Sequence, residues 1–300
     1  MNLNVVAEFI INTLSLGSLY ALISLGLVFV YGIMQLVNFA YGEFIMVPCY
    51  VLYLLGVFTT IPWPIVSVVA ILAGVVIGFL SEIIAFRPFR GRSLDALLVS
   101  SFAVSMILQY GFQLAVSPRS KAIPFPAFFR ANMSVAGMVI PLRNIIMIVT
   151  TALLLVCFTL LMRKTVLGIA MRAASENFIT ARLMGVPANL VISVAFIISG
   201  GLAGVVAIFW GARSGAVEPM MGAAPLLVGF IAVVIGGMHS LPGSVVGGFV
   251  YAAIANILSL TLPSSMLSFR DAFMFVIVIL FLVLKPEGLI RGAYREERVG

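Results

Sequence analysis

Apolar runs long enough to cross a membrane recur along the whole chain, with only short polar breaks between them. A helix needs about twenty such residues to span roughly 30 Å of hydrocarbon. Because lipid offers the backbone no hydrogen-bond partners, each spanning segment has to satisfy its own peptide groups as a helix. Hydrophobic residues make up 63% of the chain and charged residues 9%, which leaves too little polar surface for a water-soluble fold. The sequence therefore predicts an all-α, polytopic membrane protein.

Nine apolar segments can be counted, so about eight to ten transmembrane helices are expected. The segments lie near 6–34, 43–60, 64–86, 96–116, 144–162, 188–210, 225–238, 243–262 and 270–285. Residues 117–143 contain four prolines and are not expected to form one regular helix. Small residues four apart let helices approach closely in lipid, and the glycine pairs with this spacing include Gly74/Gly78, Gly200/Gly204 and Gly243/Gly247.

Three basic segments indicate the orientation of the chain: 87–95, 163–187 and 285–300. Placing them in the cytoplasm collects eleven lysines and arginines there: Arg87, Arg90, Arg92, Arg163, Lys164, Arg172, Arg182, Lys285, Arg291, Arg295 and Arg298. The other side then holds six: Arg119, Lys121, Arg130, Arg143, Arg213 and Arg270. The positive-inside bias favours this arrangement. With an odd number of spans it puts the N-terminus and residues 117–143 outside, and the C-terminus in the cytoplasm.

The segment 163–187 is the one long polar stretch that carries helix start and stop signals. Ser175 is the predicted N-cap, with Glu176 and Asn177 in the first turn, Gly185 at the C′ position and Pro187 as the stop. The predicted helix also carries apolar and charged side chains: Phe178, Ile179, Arg182, Leu183 and Met184. This pattern is typical of a docking helix. The alternative is an amphipathic helix lying on the lipid headgroups.

Two interruptions between apolar segments are too short to be ordinary loops. The first, 31–44, contains Gln35, Asn38, Gly42 and Glu43, and the second, 236–248, contains Gly236, Gly237, His239, Ser240, Pro242 and Gly243. Paired interruptions are typical of transporters built from inverted repeats, with broken helices and a site near the midplane. The same residue types are also ordinary turn formers. Path lining and tight turns are therefore both open interpretations, and intramembrane charge at Glu43, Glu82 and Asp271 is expected near span ends.

Sequence motifs for several chemistries are absent. The chain has no phosphate-binding GxxxxGK[ST], no HExxH and no CxxC, so neither ATP hydrolysis, other catalysis nor a metal site is expected on it. Cys49 and Cys157 lie in apolar runs and are expected to be free thiols. The net charge of +7 is explained by membrane orientation rather than by nucleic-acid binding.

Four passages resemble the permease subunits of bacterial ABC importers for branched-chain amino acids. They are SLGSLYALISLGLVFVYGIMQLVNFAYGEF (15–44), GIAMRAASENFITARLMGV (168–186), IGGMHSLPGSVVGG (235–248) and KPEGL (285–289). The resemblance covers most of the chain. It implies a single transmembrane permease domain over 1–300 in the bacterial inner membrane. The implied partners are a second homologous permease, two cytoplasmic ATPase subunits that hold ATP and Mg²⁺, and an extracytoplasmic binding protein.

The resemblance also implies roles for particular residues. The residues that it implies contact the ATPases are Arg172, Ser175, Glu176, Asn177, Phe178, Arg182, Leu183, Met184 and Gly185. Candidates for lining the translocation path come from the two short interruptions rather than from the resemblance: Asn38, Phe39, Gly42, Glu43, Gly236, Gly237, His239, Ser240, Pro242 and Gly243. The alternatives are a stand-alone secondary transporter or channel, or an ABC permease for urea or short amides.

Overall fold

The computed structural model describes residues 3–90, 93–135, 138–238 and 240–290, most of them in helices. In chain order the helices are α1 (Leu3–Met34), α2 (Tyr41–Phe58), α3 (Trp63–Ser81), α4 (Leu94–Ala115), α5 (Ala127–Arg130), α6 (Leu142–Lys164), α7 (Val166–Glu176), α8 (Phe178–Leu183), α9 (Ala188–Ser214), α10 (Ala223–Gly236), α11 (Leu241–Thr261) and α12 (Arg270–Leu284). Four short strands are β1 (Lys121–Ala122), β2 (Asn132–Val135), β3 (Met138–Pro141) and β4 (Ala216–Val217). The predicted all-α membrane fold is confirmed.

Eight helical segments of the described chain are long and apolar enough to cross a membrane. They are built on α1, α2, α3, α4, α6, α9, α11 and α12, and each corresponds to a predicted span. The ninth predicted span, near 225–238, is α10, which has only 14 residues. At 1.5 Å per residue it rises about 21 Å, too little to cross the hydrocarbon alone. The prediction of a ninth complete span is therefore wrong.

The helices run between two ends of the bundle, which we call upper and lower. At the upper end, Asn144 at the start of α6 donates to Asn12 of α1, and Asn256 near the end of α11 donates to Thr13. At the lower end the backbone N–H of Leu289 donates to the carbonyl of Ile235, where α10 finishes. Helix α7 follows α6 at this lower end. The described chain therefore starts at the upper end and finishes at the lower end.

Glycines hold the central helices in close contact. The predicted pair Gly74/Gly78 of α3 faces the predicted pair Gly200/Gly204 of α9, so that a Cβ atom on Gly74 would collide with the carbonyl oxygen of Gly200. In the same way Gly247 of α11 touches the backbone of α10. Small residues at these points let backbones touch inside lipid, where dispersion contacts replace the hydrophobic effect between helices.

The described residues of the segment 117–143 cover the upper end and do not form one regular helix, as predicted. Strand β1 pairs with β4 in antiparallel fashion, and β2 pairs with β3. Phe125 and Phe129 pack on Trp63 of α3, with ring centroids 5.0 and 6.0 Å away. The β1–β4 pair thus ties the connection after α4 to the chain that follows α9.

Candidate functional site

The first predicted break contains the point at which the chain reverses direction, just after the end of α1. Gln35 has a φ of 52°, a left-handed conformation that is uncommon for a residue with a side chain. The next five residues form no regular helix before α2 begins at Tyr41. Within this stretch the side-chain oxygen of Asn38 accepts from the backbone N–H of Ala40 at 3.0 Å. The break is therefore an ordered turn that leads from the lower end of α1 back into the bundle.

The end of this break lies at the middle depth of the bundle. Phe39 stacks on Phe102 of α4, with ring centroids 4.2 Å apart. Glu43, in the first turn of α2, accepts hydrogen bonds from Ser105 at 3.0 Å and from Gln109 at 2.7 Å. Ser105 lies halfway along α4. Glu43 lies near the start of the α2 span, as expected, but this start is level with the middle of α4 rather than with the lower end.

A second helix begins at the same place as α2. The backbones of Gly42 and Gly222 touch, so that a Cβ atom on Gly42 would lie 2.8 Å from the carbonyl carbon of Gly222. Gly222 directly precedes α10, and neither α2 nor α10 has a side-chain N-cap. The first-turn N–H groups of a helix lack partners within the helix and carry the positive end of its dipole. Two uncapped helix N-termini therefore meet at mid-depth, a feature we call the half-helix junction.

Two buried polar atoms at the half-helix junction have no hydrogen-bond partner among the described residues. They are Nδ2 of Asn38 and Oε2 of Glu43, and both residues are only 2% exposed. A buried polar group without a partner is costly, and an ionisable one within a membrane span is expensive unless it serves a function. The arrangement provides one free donor, one free acceptor and two helix N-termini. This combination suits a small polar or zwitterionic ligand.

The second predicted break is a tight turn at the lower end. Gly237, with a φ of 110°, links α10 to α11, and Ser240 caps α11 by accepting from the N–H of Gly243 at 3.0 Å. Leu289 and Ile290 bond to the last turn of α10 from the C-terminal side. Gly236, Gly237, Ser240, Pro242 and Gly243 thus lie apart from the half-helix junction, and His239 is outside the described residues. Of the two predicted groups, only Asn38, Phe39, Gly42 and Glu43 lie beside the half-helix junction, whereas Gly236 and Gly243 contact each other at the lower end.

The partner of the first break is the chain around Gly222, which the sequence analysis missed. Residues 214–222 follow an apolar run and contain Gly215, Glu218 and Pro219, so they resemble an ordinary external connection. The available signal was Gly222 immediately before an apolar run of only 14 helical residues, too short for a complete span.

The segment 163–187 forms two short helices rather than one. Thr165 caps α7 by accepting from the N–H of Gly168 at 3.0 Å, and Asn177 caps α8 by accepting from the N–H of Thr180 at 2.9 Å. The predicted N-cap at Ser175 is wrong, because its hydroxyl donates to the carbonyl of Arg172 inside α7. Glu176 is the last residue of α7, and so it and Asn177 are not in the first turn of α8. Gly185 follows the C-cap with a φ of 89°, as predicted.

The surface of α8 exposes apolar side chains at the lower end. Leu183 is 82% exposed and Met184 is 81% exposed, while Phe178 is half-buried. The charged predicted residues of this region, Arg172, Glu176 and Arg182, are exposed as well. Ala181 is buried and anchors α8 to the bundle. The helix therefore combines a fixed inner side with an apolar and charged outer side.

A cavity of about 870 Å³ lies between α8, the end of α1 and the start of α4. Its lining includes Gln35 from the first break, Leu97 from α4, and Asn177, Phe178 and Arg182 from the α8 region. Along α4, Leu97 comes first, then Phe102, then Ser105 and Gln109. The cavity, the Phe39–Phe102 stack and the polar residues around Glu43 therefore follow one another from the lower end to mid-depth.

A buried ion-pair cluster joins α3 to the start of α9. Glu82 is fully buried, forms ion pairs with Arg87 at 3.4 Å and with Arg90, and accepts from the hydroxyl of Ser193 at 2.9 Å. Arg90 also donates to Asn189, which lies in the first turn of α9. Burial lowers the pKa of Arg90, and the nearby Glu82 carboxylate opposes that shift. The cluster fixes the first turn of α9 to α3 immediately after the α8 segment.

Comparisons with known proteins show which family the chain belongs to. The family described as "Branched-chain amino acid transport system / permease component" matches residues 9–284. The chain belongs to this permease family. It is 32% identical over 292 residues to the high-affinity branched-chain amino acid transport system permease protein BraD of Pseudomonas aeruginosa, covering 94% of both chains. It is also 32% identical over 295 residues to LivH, a permease protein of the same kind from Escherichia coli, with 93% of both covered.

A more distant relative is the probable branched-chain amino acid transport permease protein LivH of Methanocaldococcus jannaschii, at 27% identity over 297 residues, with 91% of this chain and 89% of the relative covered. No solved structure matches the chain. The resemblance inferred from the four sequence passages is confirmed. The permease is thus a multi-pass membrane protein and a non-catalytic component of a transport system.

Proposed function

We propose that the permease carries branched-chain or other hydrophobic amino acids across the inner membrane into the cytoplasm as one subunit of an ABC importer. The half-helix junction at Gly42 and Gly222 is the observation that supports this most directly. Discontinuous helices whose N-termini face a midplane site are a recurrent way to bind anionic groups of transported substrates. The names of the relatives indicate branched-chain amino acids as the substrate class.

The surroundings of the junction suit a hydrophobic amino acid. Uncapped helix N-termini meet a carboxylate without requiring a full opposite charge. Leu36, Tyr41 and Phe44 are buried nearby, and the Phe39–Phe102 stack supplies further apolar surface. An aliphatic side chain gains by leaving water for such walls. Polar and apolar groups are therefore available for both ends of the substrate.

The lower end is assigned to the cytoplasm, which puts the N-terminus outside and the C-terminus inside. In this orientation α8 presents Leu183 and Met184 to a soluble partner, and their exposure supports a helix-in-groove contact with an ATPase subunit. The two ATPases would bind ATP and Mg²⁺, a second homologous permease would complete the path, and an extracytoplasmic binding protein would deliver the substrate. Gln35 of the first break and Phe178 and Arg182 of the α8 region line the same cavity, so a movement of α8 would change the space beside the first break.

Uptake by the reconstituted complex tests the proposal. The permease, its companion permease and the ATPases are placed in proteoliposomes, with the binding protein outside and ATP enclosed. We expect accumulation of labelled L-leucine that requires ATP and is unaffected when proton and sodium gradients are collapsed. Gradient-driven uptake by the permease alone would indicate a secondary transporter, and ATP-driven uptake of urea without leucine would indicate the amide class. Either outcome would contradict the proposal.

A further inference from the structure

The two unpartnered atoms at the half-helix junction have opposite chemical character. Nδ2 of Asn38 is a hydrogen-bond donor, and Oε2 of Glu43 is an acceptor that carries negative charge when the carboxyl is ionised. Both residues are fixed to the same backbone unit. Asn38 accepts from the N–H of Ala40 at 3.0 Å, and the N–H of Glu43 donates to the carbonyl of Ala40 at 3.0 Å.

Helix α4 determines which oxygen of Glu43 is free. Ser105 and Gln109 both donate to Oε1, and Gln109 also donates to Ser105 at 3.2 Å, so the three side chains form a closed set. Oε2 receives none of these bonds and is left as the open acceptor. Held in this way, the carboxylate needs little rearrangement to receive a ligand, which reduces the entropic cost of binding.

We propose that this cluster is a zwitterion site in which Glu43 Oε2 binds the α-ammonium group of the transported amino acid. Asn38 Nδ2 binds its carboxylate, which lies toward the positive ends of the α2 and α10 helix dipoles. The proposal rests on the proposed function and specifies its chemistry. A buried carboxylate without a countercharge is unfavourable in a membrane, and the ammonium group supplies that countercharge on binding. Urea and short amides have no cation to offer, so the site selects free α-amino acids.

Two near-isosteric variants test the two halves of the site. Glu43→Gln removes the negative charge, and Asn38→Asp removes the free donor while keeping the oxygen that accepts from Ala40. In the complete reconstituted complex, each variant is expected to lower the L-leucine transported per ATP hydrolysed by about tenfold or more, because truncating one partner of a buried charged contact is costly. A ratio within about twofold of the unmodified complex would overturn the assignment of that residue.

Controls separate this proposal from the proposed function and from misfolding. Asp271→Asn removes a carboxylate whose side chain is 74% exposed, and it should leave the ratio unchanged. Assembly of every variant with the ATPases is measured by size-exclusion chromatography. If Glu43→Gln fails to assemble, Glu43→Asp replaces it, because this variant keeps the charge on a shorter side chain. Glu43→Asp should raise the leucine concentration that gives half-maximal transport. An unchanged concentration would overturn the assignment. If the unmodified complex transports no leucine, the proposed function fails. If it transports leucine while both near-isosteric variants match it, only the zwitterion site fails.

Discussion

At the scale of single residues, the described part of the permease contains two buried glutamates whose surroundings assign them different tasks. Both carboxylate oxygens of Glu82 are bound, by Arg87, Arg90 and Ser193. This is typical of an ion pair with a structural role. Glu43 has one oxygen held and one free. A satisfied buried charge stabilises a particular arrangement, whereas an unsatisfied one is retained for what it binds.

Glu82→Gln is expected to destabilise the folded permease by about 3 kcal/mol, because it leaves Arg90 without its charged partner in a largely buried position. The measurement is the free energy of unfolding in mixed micelles, with the thermal midpoint as a second readout. Asp271→Asn is the matched control: its ion pair with Arg270 is exposed, and such pairs are worth about 0–1 kcal/mol. Equal stability of Glu82→Gln and the unmodified chain would show that the cluster does not fasten α3 to α9.

Residue types at the site were predictable from sequence, but their depth was not. Asn38, Gly42 and Glu43 stand out because polar residues and glycine interrupt an apolar run. Their position halfway along α4 depends on where α2 begins relative to its neighbours, and that is a property of packing. The residues around Gly236 and Gly243 have a similar composition to those around Gly42. Packing nevertheless places them in a turn at the lower end.

At the scale of helices, α2 and α10 act as a pair, although their first residues, Tyr41 and Ala223, lie 182 positions apart in the sequence. The contact that brings them together is backbone to backbone at Gly42 and Gly222. Any side chain at either position would collide with the opposite carbonyl group. Even one methyl group added at either glycine would therefore disturb the junction.

Gly222→Ala is expected to reduce ATP-driven leucine uptake by about tenfold or more, since its methyl group must push the two helix starts apart in a tightly packed interior. Gly111→Ala is the control, because a Cβ atom at Gly111 of α4 meets nothing within 4 Å. Uptake is measured on complexes matched for the amount of permease in the membrane. Normal transport by Gly222→Ala would contradict a role for the close contact.

The α8 surface leads to a separate prediction. Leu183→Ser, combined with Met184→Ser, should weaken association with the ATPase subunits by about tenfold or more, because exposed apolar anchors dominate the energetics of such contacts. Leu114→Ser is the control: Leu114 is 89% exposed at the upper end of α4, on the side assigned to the exterior. Co-purification with the ATPases gives the readout. Unchanged association of the double variant would rule out α8 as the anchoring helix.

The start of α8 shows why helix boundaries were harder to predict than the segment itself. Ser175 and Asn177 are both favourable N-caps, so local propensity did not separate them. The structure chooses Asn177 because α7, capped by Thr165, extends through Glu176 and already contains Ser175. Gly185 was predictable, because few other residues adopt its positive φ after a helix.

At the scale of the whole molecule, the cavity at the lower end, the aromatic stack and the polar junction form a series along α4. The count of apolar segments predicted most of the bundle, because hydrophobic length is a local property. It could not predict that the short α10 begins in the interior, since a half-span and a complete span differ little in composition. That short helix is what creates the junction.

The central claim is that the transported amino acid binds at the half-helix junction. Its most direct test is a structure of the complete importer complex, determined by cryo-electron microscopy in lipid nanodiscs with L-leucine trapped during transport. The prediction is density for leucine beside Gly42 and Gly222, with its ammonium group about 3 Å from Oε2 of Glu43. Leucine bound elsewhere, with Nδ2 of Asn38 and Oε2 of Glu43 still unpartnered, would contradict the claim.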